Sequence, residues 1–591
     1  MSYQASDFAN AIPSKSTFSP SDHQKSYKDG QTIRFHIQPF NSFVDPRQSS
    51  LNFKVLIKNA PSVVTFSKRC GIHSLIDAIR IYDMEGTQLE NIQNYAELAE
   101  KLHFYSENTS IRNKRGLTEL LEYTSRDFDG VEYDNKPSRN FDQSQLFNLE
   151  YLTGTEASYA ADVDYSTDPN TCEVAFRLYS GILGAPSEKM FPIMLTSGLR
   201  VEIDLNRADK ALQLWSLEGV ANDDGTLITS TGRASLDSCR FGVATAAPNT
   251  ANPLTSVTLY TELNPGFNQA IAGPVTAAAF TSGMSLVKNQ LVGAANLRVG
   301  ATLYGIPAAG GAPVSMGVIT SVSCNAGANS VPPAAAPVVA VTITLDGSGA
   351  DGDTFQGGSG VGGVATANTC FIRKSDIESA IPTIEVSDVR LILKTAQPPQ
   401  SYIDRLVKQT QTDEGASIEY LTWDVYRNNV TASEQQIQIN MPTINSKALS
   451  VLTLPVQNSS ANSVLTDNNN TIVDDADNYQ YVVANKLQPT RKVDLTPISQ
   501  TISKIAQIAS YEFEKALASS KIHVKNLDYQ ESSFAIGRPL ARFGGVYNLA
   551  DDGNLSLRIE YGTPTLNKLF INYIAGYRKL VVSKEGKSVE V

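Results

Sequence analysis

The sequence predicts an all-β chain organised as two tandem β-sandwiches, with short helices and one β-rich insertion in the first half. Three observations carry that reading. Strict alternation of apolar and polar residues, the mark of a strand with one face in a core, recurs through both halves. Charge nearly vanishes between Phe241 and Cys370, which marks an insertion of different composition. Pro398 and Pro399, followed by the short helical pattern SYIDRLVKQTQ, separate the two alternating halves.

Taken in order, residues 1–28 read as a polar N-terminal arm, and over the first thirty residues Lys15, Lys25 and Lys28 balance Asp7, Asp22 and Asp29. Such a neutral arm suits contact and tethering rather than nucleic-acid binding. The first sandwich spans 29–397. In QTIRFHIQPF, Ile33, Phe35 and Ile37 face a core, and in LNFKVLIKN the same holds for Phe53, Val55 and Ile57. NYAELAEKLHFYSE instead spaces Leu98, Leu102 and Tyr105 as one face of a short amphipathic helix. Strands resume in CEVAFRLYSGILG (Val174, Phe176, Leu178) and LRVEIDLN (Leu199, Val201, Ile203, Leu205), both expected at sheet edges.

The insertion, 241–370, holds only Glu262, Lys288, Arg298, Asp346, Asp351 and Asp353 as charged residues. The chain's average of 18% charged residues predicts roughly four times as many. Although rich in Ala, Gly, Pro, Ser and Thr, the insertion keeps strand-like stretches in LRVGATLYGI, MGVITSVSC and VAVTITLDG, which indicates a compact β-subdomain flanked by loops, with disorder the competing reading on its low charge and abundant Gly and Pro. IEVSDVRLILKT closes the first sandwich. A linker helix at 398–412 leads to the second sandwich, 413–591, with strands in IEYLTWDVYRNN, QQIQINMP, LSVLTLPV, NLSLRIEYG and KLFINYIAGYRKLVVS. Thr496 and Pro497 form an N-cap and first-turn pair for a helix at about 497–519, continued by Ile498, Ile502, Ile505 and Ala509.

Composition excludes several function classes. A net charge of −11 is the wrong sign for a general nucleic-acid binder, which must neutralise phosphates. Cys70, Cys172, Cys239, Cys324 and Cys370 lie far apart with no CxxC spacing, so neither a zinc knuckle nor a disulfide framework is indicated. Neither a signal peptide nor a membrane span is indicated by any apolar run.

Motifs with chemistry are scarce, and the sequence points to no catalytic, cofactor-binding or metal residue. Gly358, Gly360 and Gly363 match GxGxxG but lack the preceding strand and following helix of a dinucleotide site. Gly586-Lys587-Ser588 matches the end of a phosphate loop, yet Val581 stands where that loop needs glycine. Asp346, Asp351 and Asp353 lack EF-hand spacing, and Asp474, Asp475 and Asp477 read as a solvated acidic loop. His23, His36, His73, His103 and His523 show no HExxH or paired spacing, and GxSxG is absent. Trp215 and Trp423 suit a core or interface better than a sugar platform.

Four stretches together resemble the double jelly-roll major capsid proteins of tailless icosahedral double-stranded DNA viruses, in particular the virophage and Polinton-like group and its mavirus-type members. They are YKDGQTIRFHIQPF, FRLYSGILGAPSEKMFPIMLTSGLRVEIDLN, IEVSDVRLILKT and FAIGRPLARFGGVYNLADDGNLSLRIEYG. The resemblance implies two eight-stranded jelly rolls side by side and a homotrimeric, pseudo-hexameric capsomer tiling an icosahedral shell. It also implies that residues 241–370 form an outward tower. The implied partners are the chain itself, neighbouring capsomers, and penton and minor capsid proteins, with no sequence-specific nucleic acid. The implied location is the virion capsid, after synthesis in the host cytoplasm. On this reading the chain is not an enzyme. A β-sandwich carbohydrate-active enzyme, with two carboxylates across a cleft, and a trimeric receptor-binding or fibre protein are the alternatives.

Overall fold

The computed structural model describes residues 11–62, 64–67, 70–106, 115, 118–120, 171–184, 189–214, 220–225, 253–262, 299–307, 311–325, 338–355, 370–431, 434–457, 462–466, 468–469, 471, 476–495, 507–524, 534–540, 545–552, 555–562 and 567–590. The first half opens with β1 (Ile12–Phe18), β2 (Ser26–Lys28), β3 (Thr32–Ile37), β4 (Phe43–Lys58) and β5 (Val64–Phe66). It continues with β6 (Ile76–Asp83), β7 (Gln88–Gln93), β8 (Thr171–Phe176), β9 (Phe191–Pro192) and β10 (Leu199–Leu205). Then come β11 (Leu212–Leu214), β12 (Val220–Ala221), β13 (Ser256–Glu262), β14 (Thr302–Gly305), β15 (Val314–Asn325), β16 (Val338–Leu345) and β17 (Cys370–Arg373), before β18 (Thr383–Gln397). The second half holds β19 (Ala416–Val430), β20 (Gln436–Met441), β21 (Ala448–Gln457), β22 (Asn478–Val483) and β23 (Lys486–Asp494). It ends with β24 (Ile536–Pro539), β25 (Leu555–Glu560), β26 (Lys568–Ser583) and β27 (Gly586–Glu590).

The same winding occurs twice. In the first half β18 carries β2 on one side and β4, then β8, on the other, while a second sheet runs β3-β10-β6-β7. In the second half the sheets run β19-β26-β21-β24 and β20-β25-β22-β23. Counting eight frame strands from β2 and from β19, each half places strands in the orders 1-8-3-6 and 2-7-4-5. That is the antiparallel order of a jelly roll, two Greek keys folded into facing sheets, so the chain is a double jelly roll.

Alternation explains why the strands face as they do. TIRFHI in β3 and LRVEIDL in β10 bury every second residue. Register then stacks Phe35 and Ile81 on either side of Val201, and Ile33 and Ile79 on either side of Ile203. Each such buried side chain contributes about 1.5–3 kcal/mol. The opposite face of the same strands is charged: Glu202 pairs with Arg34 and Arg80 at 3.4 Å each, and Asp204 with Arg80 at 2.7 Å. The second half repeats the plan, with Ile439 and Tyr481 flanking Leu557.

Several expectations change. β10, read as an edge, lies inside its sheet between β3 and β6, because alternation reports one buried face and is blind to how many neighbours a strand has. The stretch read as a free arm enters the frame. β1 pairs along β18 from Ile12 opposite Gln397 to Phe18 opposite Leu391, and β2 pairs there too. An unpaired sheet edge accepts any extended segment, whatever its side chains. Residues 1–10 lie outside the described residues. The helix Tyr95–Ser106, read as amphipathic, is buried on all faces, including Glu97, Glu100 and Lys101. Thr496 and Pro497 lie outside the described residues, and the helix is seen over Gln507–Ser519. A helix at Gln400–Thr410, starting after Pro399, joins the halves.

The insertion's described strands join β12, which precedes it, in one sheet, β12-β17-β14-β15-β16-β13. Its buried residues Leu303, Met316, Ile343, Phe355 and Ile372 belong to the same continuous apolar core as the first sandwich.

Candidate functional site at the junction of the two sandwiches

The two jelly rolls meet through β7 of the first and β19 and β26 of the second. β26 serves two cores by alternation. Ile571, Tyr573 and Ala575 join the core that runs on into the first sandwich, while Phe570 and Ile574 face the second sandwich's own core. Trp423 on β19 is buried in the shared core, so the aromatic serves packing, as its strand context suggests.

Polar groups lock the seam in register. Tyr420 donates its hydroxyl to the Leu89 carbonyl at 2.6 Å, Tyr573 donates to the Asn94 carbonyl at 2.7 Å, and Arg578 also donates to Leu89 at 3.3 Å. At the centre lies Glu90, fully buried on β7. Its Oε1 accepts the Gly181 amide at 2.8 Å and the Thr422 hydroxyl at 3.1 Å, and its Oε2 accepts the Ser180 hydroxyl. Burial pushes the Glu90 carboxyl up, against the pull of these donors. Gly181 is glycine for want of space: a Cβ there would sit 1.7 Å from the Leu421 carbonyl oxygen. At the rim, Lys587 bonds Glu85 at 2.6 Å. The Gly586-Lys587-Ser588 motif is thus the start of the last strand, with its lysine reaching the other sandwich.

The remaining sequence candidates stand apart from one another. Asp346 accepts the Val318 and Ser348 amides at 2.9 Å each and the Ser348 hydroxyl at 2.7 Å, bonds that hold its carboxyl below the usual range and tie it into a turn. Gly358, Gly360, Gly363, Asp474, Asp475 and Trp215 lie outside the described residues, as does the side chain of Asp353. His23, His36 and His523 are exposed on separate elements.

His73 and His103 are the exception, and sequence spacing gave no hint of it. His73 lies on a short 3-10 turn, Ile72–Leu75, and His103 on the helix Tyr95–Ser106. Their rings pack edge to face, 4.7 Å between centroids, and both are fully buried. Glu119 directs Oε2 at both: 3.8 Å from His73 Nε2 and 3.6 Å from His103 Nε2. Its Oε1 accepts Arg115 Nε at 2.9 Å and Nη2 at 2.6 Å. His73 Nδ1 meets the Tyr95 hydroxyl at 2.8 Å, and that hydroxyl accepts the Tyr179 amide at 3.0 Å. Burial lowers the His73 pKa and so favours the neutral imidazole. Burial alone would raise the Glu119 carboxyl, but the facing histidines and Arg115 outweigh it and hold it down to about 2. Gly71 lets the chain close here: at φ 55°, its Cβ position lies 2.1 Å from the Glu119 carbonyl oxygen.

No family model matches the sequence, and no curated protein matches it. Among solved structures, the chain is similar to PBCV-1 VP54, in a crystal structure fitted into a cryo-EM reconstruction of the virophage Sputnik, at 8% identity, covering 100% of this chain and 98% of that one, TM-score 0.42. It is similar to the Faustovirus major capsid protein at 9% identity, covering 98% and 92%, TM-score 0.45. It is also similar to the mavirus major capsid protein at 8% identity, covering 98% and 90%, TM-score 0.29. At such identities and scores the assignment of the fold rests on the strand order itself.

Proposed function

We propose that this chain is the major capsid protein of a double-stranded DNA virus, a homotrimer whose pseudo-hexameric capsomers tile an icosahedral shell. The observation that carries the reading is the repeated strand order: two jelly rolls of one topology, held side by side by a buried seam. Three such chains about a three-fold axis present six similar barrels, a hexagonal outline made by a homotrimer. The four sequence stretches that resemble the virophage and Polinton-like capsid proteins support the same reading. On it, the chain works without catalysis, by presenting edges to its own copies, to penton proteins and to minor capsid proteins. Residues 241–370 form the tower on the outer face, and the protein, synthesised in the host cytoplasm, ends in the virion capsid.

The test is the assembly state of the purified full chain. Light scattering is expected to give three times the chain mass, and negative-stain images a hexagonal outline. A monodisperse monomer at tens of micromolar would sink the proposal.

A further inference from the structure

We infer that His73, His103 and Glu119 form a binding site for one zinc-class divalent metal ion that staples the first jelly roll. The three side chains each offer one ligand atom, and these atoms all lie within 4.8 Å of one another. All three are buried, with relative exposures of 0%, 0% and 3%. At 3.6 and 3.8 Å the carboxylate oxygen is too far from either imidazole nitrogen for a hydrogen bond. It is close to the spacing that metal ligands keep, since bonds of about 2.0–2.2 Å at tetrahedral angles set ligand atoms roughly 3.3–3.5 Å apart. The carboxylate needs to move only slightly, whereas the two imidazole ligand atoms, within 4.8 Å of each other, would close by about 1 Å to complete the coordination.

Two atoms in this cluster call for a partner. Neither His73 Nε2 nor Glu119 Oε2 has a hydrogen-bond partner among the described residues. A buried carboxylate oxygen and a buried ring nitrogen left in that state are costly, and a cation between them removes the cost for both. The surroundings are those of ligands held for a metal. Tyr95 on Nδ1 fixes the His73 ring so that Nε2 faces inward, and Arg115 engages Oε1 so that Oε2 alone faces the histidines. Phe176 and Tyr179 wall the His73 ring at 4.8 and 5.6 Å between centroids.

The donor set selects the ion. Two imidazoles and one carboxylate suit zinc and its first-row neighbours, whereas calcium and magnesium require an oxygen shell. Three protein ligands leave one tetrahedral position for a further ligand. The ion would join the 3-10 turn, the helix Tyr95–Ser106 and the segment at 118–120, three pieces of chain beside the seam. Because the unfolded chain lacks the preformed site, binding would add to folding stability.

The experiment uses the full chain, stripped with chelator, dialysed against buffered micromolar Zn²⁺ and assayed by elemental analysis. One zinc per chain is expected, with a higher unfolding temperature than the stripped protein. The His73→Gln, His103→Gln double variant is expected to lose the ion, and Tyr95→Phe to weaken it about tenfold to a hundredfold. No retained zinc in the wild-type chain, or equal retention by the double variant, would overturn the assignment. If the double variant fails to fold, X-ray absorption on the zinc-loaded wild-type chain decides: a nitrogen and oxygen shell with scattering from two imidazoles is expected, and a shell without imidazole rejects the site.

Discussion

The two jelly rolls share a strand order and differ in what their connections carry. Between the seventh and eighth frame strands the second sandwich needs only residues 561–567, whereas the first spends 206–382 there, including a six-stranded sheet. Between the fifth and sixth strands both halves place a helix, Tyr95–Ser106 and Gln507–Ser519, and the two meet through Tyr105 and Phe513 at 4.8 Å. Yet the first helix is buried on every side, while Ile508 and Tyr511 of the second stand 60% and 54% exposed. The frame is what an antiparallel sandwich needs to close its core, so it tolerates little change. Connections answer to weaker constraints and carry the differences, among them the histidine cluster, which has no counterpart on the second helix.

If the halves are one body, a change at the seam should cost more than one on an outer face. The largest effect is expected at Gly181. Gly181→Val drives a branched side chain into the Leu421 carbonyl and should cost at least about 3 kcal/mol in urea unfolding. A near-neutral result would mean that the seam opens freely. Glu90→Ala, which strands three buried donors, is expected to cost about 3 kcal/mol by the same measurement.

The pH dependence of Glu90 has a definite sign. Its folded pKa lies above the unfolded value, so the folded state holds the proton more tightly in that window. Stability from this group is therefore present at low pH and lost as pH rises through the folded pKa. Compared with Glu90→Gln, which cannot titrate, wild-type stability should decline as pH rises above the ordinary carboxylate value of 4.5, and parallel profiles would refute this. A smaller effect belongs to Tyr573→Phe, which removes one buried bond across the seam and should lower stability by about 1 kcal/mol in the same titration. The smallest lies on the second sandwich's outer face. Lys492→Ala breaks its ion pair with Glu560 and should stay within about 0.5 kcal/mol in urea unfolding.

Much of the frame was legible before any coordinates. Alternation in β3 and β10 placed core residues correctly because a strand's period of two is a local property. Loss of charge likewise marked the insertion, since composition needs no partner to be read. Pairing was not legible. That β1 would join β18, and that β10 would be internal, depends on segments far apart in sequence.

By itself, then, the sequence determined the strands, their inward faces and the division into two halves, because these follow from side-chain period and composition. Only the tertiary structure decided that β26 would serve two cores, that Gly181 and Glu90 would lock the halves together, and that His73, His103 and Glu119 would meet. Each of these rests on contacts between residues tens to hundreds of positions apart, and no local pattern encodes a distance of that kind.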